Sequence, residues 1–174
     1  MSKIIDGFWW LVELIAGWCL KILFKLIRKE LTPEIEKNFL QFVRFGVVGV
    51  SNTIVSYVIL TVSRLALESA GFINYAYIVA NCIAFVLGVA WSFFWNDRYV
   101  FTVKEGEQRS MLKALVKTYI SYSFTGLFLS NILLLLWIEV FHMSKFVAPL
   151  VNSLIGLPIN FLINKFWSFR KEGR

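Results

Sequence analysis

From Phe45 onward the chain is a succession of long apolar runs separated by short polar segments. Runs over 45–65, 75–95, 115–138 and 146–166 each approach the ~20 residues that a helix needs to cross the hydrocarbon of a bilayer. Inside those limits the Asp, Glu, Lys and Arg residues are Arg64, Lys117 and Lys165, each within two positions of a run's end and close enough to it to snorkel. The pattern predicts four transmembrane helices. Residues 1–30 read differently: Lys3, Asp6, Glu13, Gly17, Lys21, Lys25 and Arg28 fall three, four or seven apart, one narrow polar stripe on an otherwise apolar helix. Such a helix is predicted to lie at the membrane interface, with Trp9, Trp10 and Trp18 at headgroup depth. Crossing instead would place Glu13 near mid-membrane, at about 2.5–3.5 kcal/mol. Thr32 and Pro33 read as the cap and first residue of the next helix.

Composition agrees. With 58% hydrophobic and 17% aromatic residues in 174, the chain is too apolar for an ordinary soluble core. The net charge of +7 reads as cations gathered at helix ends rather than as a nucleic-acid surface, since no recognition motif accompanies it. Lys21, Lys25, Arg28, Lys29, Lys37 and Arg44 precede the first span; Arg98, Lys104, Arg109, Lys113 and Lys117 follow the second; Lys165 closes the fourth, and Arg170, Lys171 and Arg174 follow it. The remaining connections hold only Arg64 and Lys145, so both termini and the middle loop are predicted cytoplasmic. Ala16-Gly17-Trp18 is no signal-cleavage site, and the N-terminal helix is expected to be retained. Cys19 and Cys82 stand in apolar runs without disulfide or metal spacing and are expected to be buried.

The second and fourth spans repeat each other. Asn96-Asp97-Arg98-Tyr99-Val100-Phe101 returns 68 positions on as Asn164-Lys165-Phe166-Trp167-Ser168-Phe169. The same shift places Gly88 on Gly156 and Ser92 on Asn160. Each predicted half contributes two spans, so the halves are expected to run parallel about an axis along the membrane normal. Tyr99, Phe101, Trp167 and Phe169 read as interfacial anchors.

Every span also owns a face of small and polar residues. Asn152, Gly156, Asn160 and Asn164 recur every fourth position; Asn81, Phe85, Gly88, Ser92 and Asn96 nearly do so; the first span brings Asn52 and Thr53. Such faces serve helix packing through close backbones and amide or hydroxyl cross-links. They also suit a groove for a ligand with many hydroxyls, with cations at its mouth for an anion. Pro158 removes one intrahelical hydrogen bond just before Asn160. No His, Cys, Asp and Glu cluster has metal-ligand spacing, and His142 falls in a predicted external connection. Without a phosphate-binding glycine loop or a nucleophile–base pair, neither cofactor nor enzymatic chemistry is expected.

Phe39 to Thr53, read FLQFVRFGVVGVSNT, together with Asn81, NDRYVF, Asn160-Phe161 and NKFWSF, resembles the GtrA-like family of small bacterial four-span membrane proteins. The likeness covers residues 39–171 and leaves 1–30 unexplained. It implies an all-α integral membrane protein of the bacterial inner membrane, with a 31–174 transmembrane domain, that carries a polyprenyl-phosphate-linked monosaccharide from the cytoplasmic to the outer leaflet for surface polysaccharide or wall-polymer glycosylation. A membrane-associated glycosyltransferase is the implied partner. Placed on the residues above, Arg44, Arg98, Lys117 and Lys165 would meet the phosphate. Asn52, Thr53, Asn81, Ser92, Asn96, Asn152, Asn160 and Asn164 would meet the sugar. Four helices leave little room for such a path, which points to a homo-oligomer. Two other readings compete: a scaffold or regulatory subunit of a glycosyltransferase, and a small multidrug exporter, which would need a carboxylate inside the membrane.

Overall fold

The computed structural model describes residues 2–72, 74–103 and 108–170 and is helical almost throughout. Helix α1 spans Ser2–Leu26 and α2 Pro33–Ser69. Helix α3, Ala76–Trp95, continues into a π turn over Asn96–Val100. Helix α4, Met111–Ser123, runs through a π segment at Phe124–Leu129 into α5, Ser130–Leu135, and ends in a second π segment at Leu136–Val140. Helix α6, Ala148–Ile163, ends in a π turn over Asn164–Ser168. The protein is a multi-pass membrane protein.

The Thr32 hydroxyl caps α2 by accepting from the Ile35 N–H at 3.3 Å, and Pro33 is its first residue. The helix that contains the 45–65 run begins twelve residues before it, because Pro33–Arg44 is already helical. Four stretches are long and apolar enough to cross a membrane: Lys3–Leu26, Pro33–Ser69, Ala76–Val100 and Met111–Val140. The last helix falls short because Asn152, Pro158, Asn160 and Asn164 dilute it, yet it packs into the bundle and runs unbroken past Pro158.

Among the described residues, the buried aromatic side chains gather at one end of the molecule. There Phe45, Val48, Phe93, Phe101, Phe161 and Phe169 form a core. Phe101 and Phe169 stack at 4.6 Å between ring centres, so the two repeated motifs meet face to face at that end. Both are over nine-tenths buried, which corrects their reading as interfacial anchors: each packs on the other and on Phe161 or Phe93, which makes them core. Trp167 does stay half exposed, with the Lys117 ammonium 5.9 Å from its ring centre. Along the rest of the bundle, Leu, Ile, Val and Phe side chains face outward, as lipid contact requires. Cys19 and Cys82 share that exposure, which corrects their expected burial: in a membrane protein, an apolar run need not face inward.

Between α2 and α3 the approach is close at Gly88. A methyl group added there would run into the Ser56 hydroxyl, whose oxygen lies 3.4 Å from Asn52 Oδ1. The residue paired with it by the repeat, Gly156, has open space around it, so only the first half is clasped this tightly.

Candidate functional site

The two π turns do matching things. In each, the asparagine carbonyl accepts from the phenylalanine N–H five residues on, Phe101 to Asn96 at 2.7 Å and Phe169 to Asn164 at 2.8 Å. In each, the asparagine amide reaches back one helical turn, Asn96 Nδ2 to Ser92 Oγ at 3.1 Å and Asn164 Nδ2 to Asn160 Oδ1 at 2.9 Å. Both asparagines are fully buried.

A helix end leaves carbonyls without intrahelical partners, and here other elements supply them. Gln41 Nε2 donates to Val100 O at 2.9 Å and Arg44 Nη1 to Tyr99 O at 3.0 Å. Arg109 reaches both halves at once: its Nη1 donates to Phe101 O at 2.8 Å and to Phe169 O at 3.2 Å, while Nη2 pairs with Asp97. Its side chain is only 4% exposed. Arg109 is therefore an internal clamp between the two repeated motifs. The sequence shows it only as one of several loop cations, and its signal would have been Asp97, the one acid in either repeated motif.

Of the candidate groove residues, Ser92, Asn96, Asn160 and Asn164 come together inside the bundle. The Tyr122 hydroxyl lies 2.5 Å from Ser92 Oγ and also interacts with the Asn96 and Asn160 side chains, joining the two halves. Thr125 Oγ1 donates to Asn160 Oδ1 at 3.3 Å, and Ser121 and Ser168 share a hydrogen bond of 2.6 Å. The Oδ1 atoms of Asn96 and Asn164 are buried without a partner among the described residues, so acceptor capacity is left in the middle of the network. Asn152 lies higher on α6, donating to Ser130 Oγ at 2.7 Å. The others sit elsewhere. Asn52 is at the α2–α3 contact, Thr53 bonds the Gly49 carbonyl of its own helix at 3.1 Å, and Asn81 is exposed with no hydrogen bond among the described residues.

The candidate cations are divided as well. At the aromatic end an open groove of about 1070 Å³ runs between the start of α2 and the π turn after α6. Arg44 and Lys165 line it together, with Lys37, Asn38, Gln41 and Arg170. Lys165 Nζ donates to Asn38 Oδ1 at 2.8 Å, which holds the ammonium at the groove wall. Arg98 lies instead on a smaller depression under α1, and Lys117 lies against Trp167. The strict repeat explains the asymmetry: position 97 corresponds to 165, so an acid that pairs inward in one half is a cation facing the groove in the other. Lys104, Lys171 and Arg174 lie outside the described residues. Asn38 and Gln41 escaped the sequence reading, although with Arg44 they recur every third residue on the first turns of α2.

Helix α1 crosses this end. Trp9 is buried and stacked on Tyr99 at 5.4 Å, Glu13 pairs with Arg44, and Lys21 Nζ lies 3.4 Å from Glu36. Phe8, Leu11, Ile15 and Trp18 point away from the bundle. Among the described residues no group of His, Cys, Asp and Glu is arranged to hold a metal.

Comparison with known proteins finds a relative 26% identical over 98 residues, 56% of this chain and 67% of the relative: the cell wall teichoic acid glycosylation protein GtcA of Listeria monocytogenes serovar 1/2a (strain ATCC BAA-679 / EGD-e). No solved structure matches the chain. The family model for the GtrA/DPMS transmembrane domain matches residues 44–169, from the arginine that holds the first π turn to the phenylalanine that closes the second, and the chain belongs to that family.

Proposed function

We propose that this protein moves a polyprenyl-phosphate-linked monosaccharide from the cytoplasmic to the outer leaflet of a bacterial inner membrane, for glycosylation of a wall polymer or surface polysaccharide. The observation that carries this reading is the groove in which Arg44 and Lys165 stand beside Asn38 and Gln41: two cations for a phosphodiester and amides for sugar hydroxyls. The role for which the Listeria relative is named, glycosylation of cell wall teichoic acid, supports the same chemistry. The groove end carries both π turns and the cation-rich flanks, so it faces the cytoplasm. No covalent step is needed.

In this reading the groove captures the head group while the prenyl chain remains in lipid. Arg98 and Lys117 contribute field rather than contact. The network of Ser92, Asn96, Tyr122, Asn160 and Asn164 lies inward of the groove, where its amides and hydroxyls exchange partners with the sugar once α6 separates from α3 and α4. Helix α1 lies in the cytoplasmic leaflet's interface, with its uncovered apolar side in lipid. A second copy of the chain, met at surfaces such as that around Asn81, widens the path, and a membrane-associated glycosyltransferase loads the lipid.

Direct capture tests the reading. The purified protein in lipid nanodiscs is expected to retain a radiolabelled polyprenyl-phosphate monosaccharide saturably, with displacement by a short prenyl phosphodiester and none by the matching prenyl alcohol. Equal displacement by both would remove the anion site and favour the scaffold alternative.

A further inference from the structure

Helix α1 precedes the residues that match the family, and what it does is legible at Arg44. The guanidinium of Arg44 has two edges. Its Nη1 donates to the Tyr99 carbonyl at 3.0 Å, which anchors the group to the first π turn. The Nη2 is taken by the Glu13 carboxylate of α1. The Nε completes, with Nη2, the fork that matches a carboxylate or phosphate through two parallel bonds, and this Nε is buried without a partner among the described residues. Glu13 therefore fills half of an anion site.

The surroundings let that anion leave. The Arg44 and Glu13 side chains are each 31% exposed, so the pair stands at the edge of solvent rather than in the core. Arg44 lines the large groove on one side and, on the other, the 310 Å³ depression that α1 covers with Asp6, Trp9, Trp10 and Glu13. Helix α1 is fastened on either side of Glu13, by Trp9 on Tyr99 and by Lys21 on Glu36, and among the described residues it offers no other carboxylate to Arg44.

We propose that α1 is an autoinhibitory strap whose Glu13 carboxylate occupies the anion-facing edge of Arg44 and is displaced by the phosphodiester of the lipid substrate. This rests on the head-group capture reading above. A phosphodiester presents two non-bridging oxygens, enough for Nε and Nη2 together, so the exchange replaces one charge-assisted bond with two. Once Glu13 is released, α1 keeps its fastenings at Trp9 and Lys21 but loses the contact with α2 between them, and that segment loosens on the side of Arg44 that α1 covers. An anion that offers a single oxygen gains less by the exchange, so the strap also sharpens selection for phosphodiesters.

The test uses the full chain in nanodiscs of zwitterionic lipid with citronellyl-phospho-glucose as probe and citronellyl glucoside as the uncharged control. Glu13→Gln is expected to bind the probe about three- to fivefold more tightly, the worth of a half-exposed ion pair, with the control unchanged. Lys21→Gln loosens the strap away from Arg44 and is expected to shift affinity the same way by a smaller factor. In the unaltered protein, the probe is expected to raise amide hydrogen exchange across residues 9–21, a readout that needs no variant. If Glu13→Gln leaves affinity unchanged and the probe leaves that exchange unchanged, while Arg44→Ala still weakens binding, the strap is overturned and head-group capture stands. If the unaltered protein and Arg44→Ala retain probe and control alike, capture and strap fall together.

Discussion

Replacing Asp97 with alanine is expected to lower stability by about 3–5 kcal/mol, the usual penalty for stripping a buried ion of its partner. Asp97 is the carboxylate that neutralises Arg109, whose side chain is 4% exposed and lies between the two repeats. Without Asp97 the guanidinium keeps the Phe101 and Phe169 carbonyls, but these are dipoles and leave a net charge in the aromatic core. The Arg109 Nε is already unpartnered, so no alternative acceptor stands ready among the described residues. Thermal unfolding in mild detergent, followed by size exclusion, measures the effect. The paired variant Asp97→Asn with Arg109→Gln removes both charges and is expected to recover part of the loss. A melting temperature for Asp97→Ala equal to that of the unaltered protein would contradict the clamp.

The second large effect is functional. Arg44→Ala is expected to weaken capture of a prenyl phosphodiester about 10- to 100-fold, as loss of charge-assisted bonds worth about 1.5–3 kcal/mol implies. Arg44 joins three elements: it holds the first π turn through Tyr99, meets α1 through Glu13, and faces the groove beside Lys165. Arg44→Lys keeps the charge but not the planar fork, so it is expected to fall between the two. Affinity for the neutral glucoside is expected to stay the same in all three. Equal phosphodiester binding by Arg44→Ala and the unaltered protein, measured on folded material, would remove Arg44 from the anion site.

Both predictions draw on features the sequence displays and on others it conceals. The long apolar runs, the cap at Thr32 and the doubling of NDRYVF in NKFWSF were all legible, because helix periodicity and a constant 68-residue shift are local properties of the chain. The contacts made when the two copies fold together were not. The stacking of Phe101 on Phe169 requires the two helix ends to meet, and an aromatic at a helix end looks the same whether it faces headgroups or its own twin. Arg109 is separated from Phe169 by sixty positions, and a loop arginine carries no mark of the carbonyls it will reach. The stripe of amides on the second and fourth spans persists as a helical face, because its four-residue spacing survives as helical geometry, whereas the place of Tyr122 among those amides was not legible. The same spacing misplaces Asn81, which shares it but sits far enough up α3 to leave the interior. The polar stripe of α1 shows the same limit: Glu13 answers Arg44 rather than water, and only the fold brings them together.

Leaflet reversal decides whether this protein moves its lipid or merely holds it. Proteoliposomes are loaded with a polyprenyl-phosphate monosaccharide labelled on its sugar, and the labelled head groups accessible to an impermeant reagent are followed with time. Translocation predicts that the initially protected fraction becomes accessible in vesicles containing the unaltered protein, and that it does so far more slowly with Arg44→Ala. A protected fraction that stays constant in vesicles holding folded protein, at the rate of protein-free vesicles, would contradict it.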